Sequence, residues 1–171
     1  MRKIITMVVL VGITVLSSCE GPQGPAGQNG QDGLLSEVFE ITRSFTNSNN
    51  FSNVVSYPHS IYSSDMVLVY RLENVVEGLD VWKLLPQTYY FNDGTLDFTY
   101  DFYFTKFDVN IVMNGSDLGT ISDQFRINQI FRIVILPGYF SGRSTKKVDK
   151  NDYNAVIKAY NINDSNVKIL N

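Results

Sequence analysis

Few residues in this chain combine the type and spacing that chemistry requires. There is one histidine, His59, after Pro58 in a serine-rich stretch, and one cysteine, Cys19. A nucleophile needs a base within hydrogen-bond reach. Around Ser141 the order Gly138, Tyr139, Phe140, Ser141, Gly142 is not the glycine, any, serine, any, glycine elbow of hydrolases. Zinc and its neighbours draw on His and Cys, so a metal site is not expected. Carboxylates are the remaining option. Asp97 and Asp101 share a parity in one extended stretch, but four residues at ~3.3 Å separate them by about 13 Å, beyond the ~5 to 9.5 Å of glycosidase pairs. Asp108 or Glu73 would have to approach from another strand. Asp149, Asn151 and Asp152 are oxygen-rich, yet an EF-hand frame puts Asn154 where glycine belongs and Tyr160 where glutamate belongs. No glycine-rich phosphate loop follows a strand-like stretch. The expectation is a domain that is not an enzyme and uses no cofactor, with a glycan-acting hydrolase built on carboxylates as the alternative.

Ligand binding leaves more room. Tyr89, Tyr90, Phe91, Phe98, Tyr100, Phe102, Tyr103, Phe104 and Phe107 crowd one region, and most of them must be core. Those on the opposite parity, Tyr103 and Tyr90, can turn a ring to solvent, whereas Trp82 is expected to anchor packing. A protein or a glycan is therefore the open ligand class. Nucleic acid is not: formal net charge is −3, and the basic loop Arg143, Ser144, Thr145, Lys146, Lys147 reads as a solvated turn rather than a phosphate footprint.

Cys19 has a separate role. Arg2 and Lys3 form a positive start, Ile4 to Leu16 is an almost unbroken apolar run, and Ser17 and Ser18 are small, as secretory cleavage requires. Thirteen residues are too few for a permanent span, which takes roughly 20. Leu16, Ser17, Ser18, Cys19 resembles the lipobox of bacterial lipoproteins. The resemblance implies removal of residues 1–18, a diacylglycerol on the Cys19 thiol, and an address in the bacterial cell envelope, with the outer membrane favoured and the face open. Several acyl chains at ~0.8 kcal/mol per buried methylene make such an anchor effectively permanent. Once Arg2 and Lys3 are removed, 12 basic residues stand against 17 acidic ones, so the lipid, not charge, would hold the protein at a membrane. A single cysteine also rules out an intrachain disulfide.

Directly after the anchor, Gly21, Gly24, Gly27, Gly30 and Gly33 recur at every third position, with Pro22 and Pro25 following the first two. Glycine in that period is what three polyproline II strands need at a crowded axis. Four triplets with two prolines are short for a triple helix, so the segment 19–33 is read as an extended spacer in preference to the stalk of a homotrimer, with Gly21 to Gly33 about 40 Å long at ~3.1 Å per residue. The N-terminal layout resembles that of bacterial lipoproteins with a short collagen-like repeat and a β-rich C-terminal domain. That resemblance implies location and arrangement and carries no catalytic residues across.

The elements that must position everything else lie in residues 34–171, where period two dominates. Phe39, Ile41 and Phe45 alternate with Glu40, Thr42 and Ser44; Met66, Leu68, Tyr70 and Leu72 alternate with Val67, Val69, Arg71 and Glu73. Val81 to Leu85 and Thr88 to Phe91 read as strands broken at Pro86, and Asn92, Asp93, Gly94 as a hairpin turn. Leu96 to Phe104 is the clearest strand. Parity flips after Thr105, which predicts a bulge near Thr105 and Lys106 before Phe107, Val109, Ile111 and Met113. Asn114 and Gly115 form a turn. Phe125, Ile127, Phe131, Ile133 and Ile135 read as one long strand stopped by Pro137 and Gly138, with Ile130, Val134 and Leu136 implying cover on its second face. A helix is expected over about 150–161, with Asp149 as N-cap, Val148 and Tyr153 as a staple, the stripe Tyr153, Val156, Ile157, Tyr160, and Asn161 closing it. Seven or so strands and one helix argue for an all-β antiparallel sandwich of immunoglobulin-like or jelly-roll kind, the helix capping an edge or open end.

Overall fold

Alternating apolar side chains build two sheets that face each other. The computed structural model describes residues 36–138 and 148–170. The signal segment, Cys19, the glycine triplets, Ser141 and the loop from Arg143 to Lys147 lie outside them. One sheet has the order β4-β3-β8-β1-β9 and the other β2-β7-β6-β5. The strands are β1 (Glu37–Arg43), β2 (Ser52–Ser56), β3 (Met66–Val76), β4 (Leu79–Leu84), β5 (Gln87–Tyr90), β6 (Leu96–Phe104), β7 (Asp108–Gly115), β8 (Gln129–Leu136) and β9 (Lys168–Ile169). All pairings are antiparallel except β9 beside β1, where Phe39 and Glu40 meet Lys168 and Ile169. The protein is an all-β sandwich.

Between the sheets, Phe39, Ile41, Val67, Val69, Phe131 and Ile133 from the first meet Val55, Phe98, Tyr100, Val109, Ile111 and Met113 from the second. Each such side chain contributes about 1.5–3 kcal/mol by leaving water. The expected double cover of β8 is present. Val134 and Leu136, with Leu68 and Tyr70 of β3 and Val38 of β1, point to the opposite side and bury Tyr153, Val156 and Ile162. The helix α2 (Tyr153–Ala159) therefore lies on the outer face of the five-stranded sheet as a third layer. It does not cap an edge or an open end, because β3 and β8 are apolar on both faces and the second face must be covered.

Several local expectations are corrected. The parity flip after Thr105 is a hairpin turn and not a bulge: Phe104 pairs with Val109 and Tyr103 with Asn110, and Thr105 N–H donates to the Asp108 carbonyl at 2.9 Å. Phe125 belongs to a one-turn helix, α1 (Asp123–Arg126), and Asn128 at φ 52° separates Ile127 from β8. The N-cap of α2 is Asp152, whose side chain accepts from Ala155 N–H; Asp149 instead accepts from Asn151 in the preceding turn. Three residues are lost from the expected start. Asn161 does close the helix, at φ 51°, with Ile162 N–H donating to the Ile157 carbonyl. Strands β2 and β9 have no counterpart in the sequence reading.

Two arginines, one buried and one partly buried, tie the layers together. Arg71 projects from β3 between the sheets and is 4% exposed. Its guanidinium donates to Gln87 Oε1 at 3.1 Å, Gln129 Oε1 at 2.8 Å and Tyr89 OH at 2.6 Å, and to Glu73, while lying 5.0 Å from the Tyr100 ring centroid. On the outer face, Arg132 donates to Glu40 at 3.0 Å and Tyr153 OH at 2.8 Å and stacks 4.3 Å from the Trp82 ring centroid. Trp82 is a packing anchor, as expected.

Candidate functional site

The residues selected for chemistry do not converge. Glu73 is held by Arg71 and Tyr89. Asp101 is exposed on the outer face of the four-stranded sheet, opposite Val112, and Asp108 accepts from the Thr105 hydroxyl at 2.7 Å within the β6–β7 turn. Asp97 lines a depression of about 220 Å³, where its companion is Asp117, with Ser116, Thr120 and Ser122 nearby. Sequence reasoning had not selected Asp117, since nothing local links it to Asp97. Tyr90 and Tyr103 are exposed, as their parity required, and Tyr103 OH accepts from Asn110 Nδ2 at 2.6 Å.

His59 lies elsewhere, in the segment that leads from β2 to β3. Tyr57 and Ile61 pin this segment by burying their side chains and by donating their backbone N–H groups to the carbonyls of Phe107 and Lys106. Asp65 closes it: one carboxylate oxygen accepts from Tyr62 N–H at 2.9 Å and the other from Gly138 N–H at 3.2 Å. Gly138 is required there, because a Cβ would stand 2.1 Å from the Ser64 carbonyl oxygen. The result is a cavity of about 570 Å³, within the range of small-ligand sites. Glu37, His59, Tyr62, Asp65 and Lys106 line it over a floor of Ile61, Ile135 and Pro137, and Ser60 and Ser63 add hydroxyls.

The electrostatics of this cavity are specific. His59 Nε2 lies 2.7 Å from Glu37 Oε1, and Nδ1 lies 3.3 Å from the Ser60 carbonyl oxygen. Both partners are acceptors, so only the doubly protonated ring satisfies both. The Ser60 carbonyl and then Glu37 accordingly hold the imidazole pKa above its usual value. A ring so held bridges the loop to β1, and both of its nitrogens are engaged by Glu37 and the Ser60 carbonyl. Asp65 spends both oxygens on backbone amides. Lys106 is in a different position, since no ion pair among the described residues involves it; its ammonium sits 5.0 Å from the Phe107 ring centroid. Apart from His59, sequence reasoning selected no member of this site. They come from four separate stretches of chain, so no spacing could announce them.

Among the described residues, no group of three or more His, Cys, Asp or Glu side chains converges as metal ligands, and no helix is long and apolar enough to cross a membrane. Comparison with family models, with curated proteins and with solved structures finds no match in any of the three.

Proposed function

We propose that this is a lipid-anchored bacterial envelope protein whose β-sandwich, carried on a collagen-like spacer, binds a ligand without transforming it. The observation that carries the binding reading is the 570 Å³ cavity. Its histidine and its Asp65 are committed to holding the walls, while Lys106 and three hydroxyls remain free to meet a guest. The sequence from Arg2 to Gly33 supports the anchor and the spacer. Metabolic labelling with an alkyne fatty acid, followed by membrane fractionation, tests the address: the wild-type chain should be labelled and sediment with membranes, and Cys19→Ser should be unlabelled and released. Light scattering on the Cys19→Ser chain should report a monomer; a trimer would restore the stalk reading of the glycine triplets.

A second reading, a glycan-acting envelope hydrolase, rests on Asp97 and Asp117 sharing one depression. A panel of glycosides, esters and peptides separates the two. No turnover above that of Asp97→Asn is expected, and turnover that this substitution abolishes would replace the binding reading with the hydrolytic one.

A further inference from the structure

The ligand class can be narrowed, on the strength of the binding reading above. A second depression of about 240 Å³ adjoins the cavity and shares Ile61, Tyr62, Ser63 and Lys106 with it, adding Phe104 and Thr105. Lys106 therefore stands on the wall common to two concavities. Three aromatic rings around it are open to solvent: Tyr62 at 52%, Phe104 at 42% and Phe107 at 58%. Burial in the sandwich core does not account for them, although their parity neighbours Tyr100 and Val109 are fully buried.

Charge decides what these rings would meet. The charged groups near Lys106 are Glu37 from β1, His59 and Asp65 from the β2–β3 segment, and Asp108 from β7, with Lys168 of β9 close enough to act on His59. Glu37 is paired with His59, Asp65 is satisfied by two amides and Asp108 by the Thr105 hydroxyl. Asp65, Asp108 and Lys106 all lack an ion-pair partner among the described residues, but both carboxylates have hydrogen-bond donors, and of the three the Lys106 ammonium alone has no hydrogen-bond partner there. Beside it, the hydroxyls of Ser60, Tyr62 and Ser63 have no hydrogen-bond partner among the described residues, and a hydroxyl can both donate and accept. Exposed aromatic faces with convergent hydroxyls suit sugar rings, whose C–H faces pack on π surfaces and whose O–H groups need donors and acceptors together. One unpaired ammonium adds the requirement for a single anionic group.

We propose that the double cavity around Lys106 binds a carboxylate-bearing saccharide of the hexuronate type, its ring against Tyr62 and Phe104 and its carboxylate on the Lys106 ammonium. The partner is defined by the joint presence of a flat polyhydroxylated ring and one carboxylate. A neutral glycan would leave the lysine unmatched, and an anion without a ring would leave the aromatic walls in water.

Trigalacturonate and its methyl ester test this, because esterification removes the charge and keeps the rings. The full chain, purified in detergent, is titrated with each by calorimetry. The acid should bind at least tenfold more tightly than the ester, and Lys106→Met should abolish that preference. Lys106 is exposed in a turn, so this variant should keep the wild-type circular dichroism spectrum. Tyr62→Ala should weaken acid and ester by the same factor. Equal affinity for acid and ester, or a Lys106→Met variant that keeps the preference, would overturn the carboxylate assignment and leave the binding reading standing. Absence of binding to both overturns the saccharide class. Shortening of the trisaccharide during the titration would overturn the non-catalytic reading instead, while recognition of the acid would stand.

Discussion

Replacing Arg71 by methionine should cost the fold about 2 kcal/mol, and the size of the loss follows from what the arginine leaves behind. Methionine fills much of the stem volume but donates nothing. Gln87 is 2% exposed and Gln129 7%, and both keep their amide N–H groups on backbone carbonyls, of Lys83 in one case and of Gln124 and Ile127 in the other. Neither side chain can turn its oxygen to water without breaking those bonds. Gln129 Oε1 is thus orphaned, at roughly 1–3 kcal/mol, whereas Gln87 Oε1 keeps the Tyr89 hydroxyl as a donor at 3.1 Å. Glu73, whose side chain is 32% exposed, can reach solvent and adds little. The loss falls below the ~3–5 kcal/mol typical of a broken buried pair, because Gln87 keeps a donor and Glu73 reaches water, yet it is a sizeable part of the ~5–15 kcal/mol that holds an ordinary domain together. Urea titration of the Cys19→Ser chain, followed by circular dichroism and by fluorescence of the single tryptophan, Trp82, should show the midpoint falling by about 1 M for a slope near 2 kcal/mol per M. Arg43→Met, at an exposed strand end, should stay within ~0.5 kcal/mol of wild type. A loss under about 1 kcal/mol for Arg71→Met would mean that water reaches Gln129, and the closed network would be refuted.

Three further outcomes are expected. His59 has its pKa raised by the Ser60 carbonyl and Glu37, so its contribution to stability is full below the unfolded value of ~6.5 and is lost as pH rises through the folded value. An NMR titration of the ring should give a midpoint above 6.5, and Glu37→Gln should lower it. Gly138→Ala drives a methyl into the Ser64 backbone and should destabilise by ~1–3 kcal/mol in the same urea assay; a neutral result would show that the β2–β3 segment yields freely. Tyr57 buries a hydroxyl with no partner, so Tyr57→Phe should be neutral or stabilising by up to ~1 kcal/mol, and a clear loss would reveal a hidden hydrogen bond.

The strands were legible where one face or both are apolar in strict alternation, as in β3, β6 and β8. Strand β2 escaped because Ser52, Asn53 and Ser56 dilute its pattern, and Val55 alone among its residues is buried. Strand β9 has two residues and no period to detect. The β6–β7 turn was misread for a physical reason: a parity flip looks the same whether one residue bulges out or the chain reverses, and only the pairing of Phe104 with Val109 distinguishes the two. The helix stripe was visible, yet its start slipped because Asp149 and Asp152 are both competent caps. The cavity lay beyond any local pattern. Glu37, His59, Asp65, Lys106 and Pro137 meet through tertiary packing alone, and a histidine read by itself promised less than it delivers as a wall.

Glu37 is both the first residue of β1 and a wall of the cavity, and its cross-strand neighbour Ile135 lies in the cavity floor. This has a mechanical meaning if the N-terminal segment is the tether proposed above. A pull entering through Ser36 and resisted by a captured ligand would enter and leave the fold at the same end of β1. Force along β1 would also act on seven antiparallel rungs with β8, from Glu37–Ile135 to Arg43–Gln129, in shear, where the rungs share the load, and not in peeling, where they would fail one at a time.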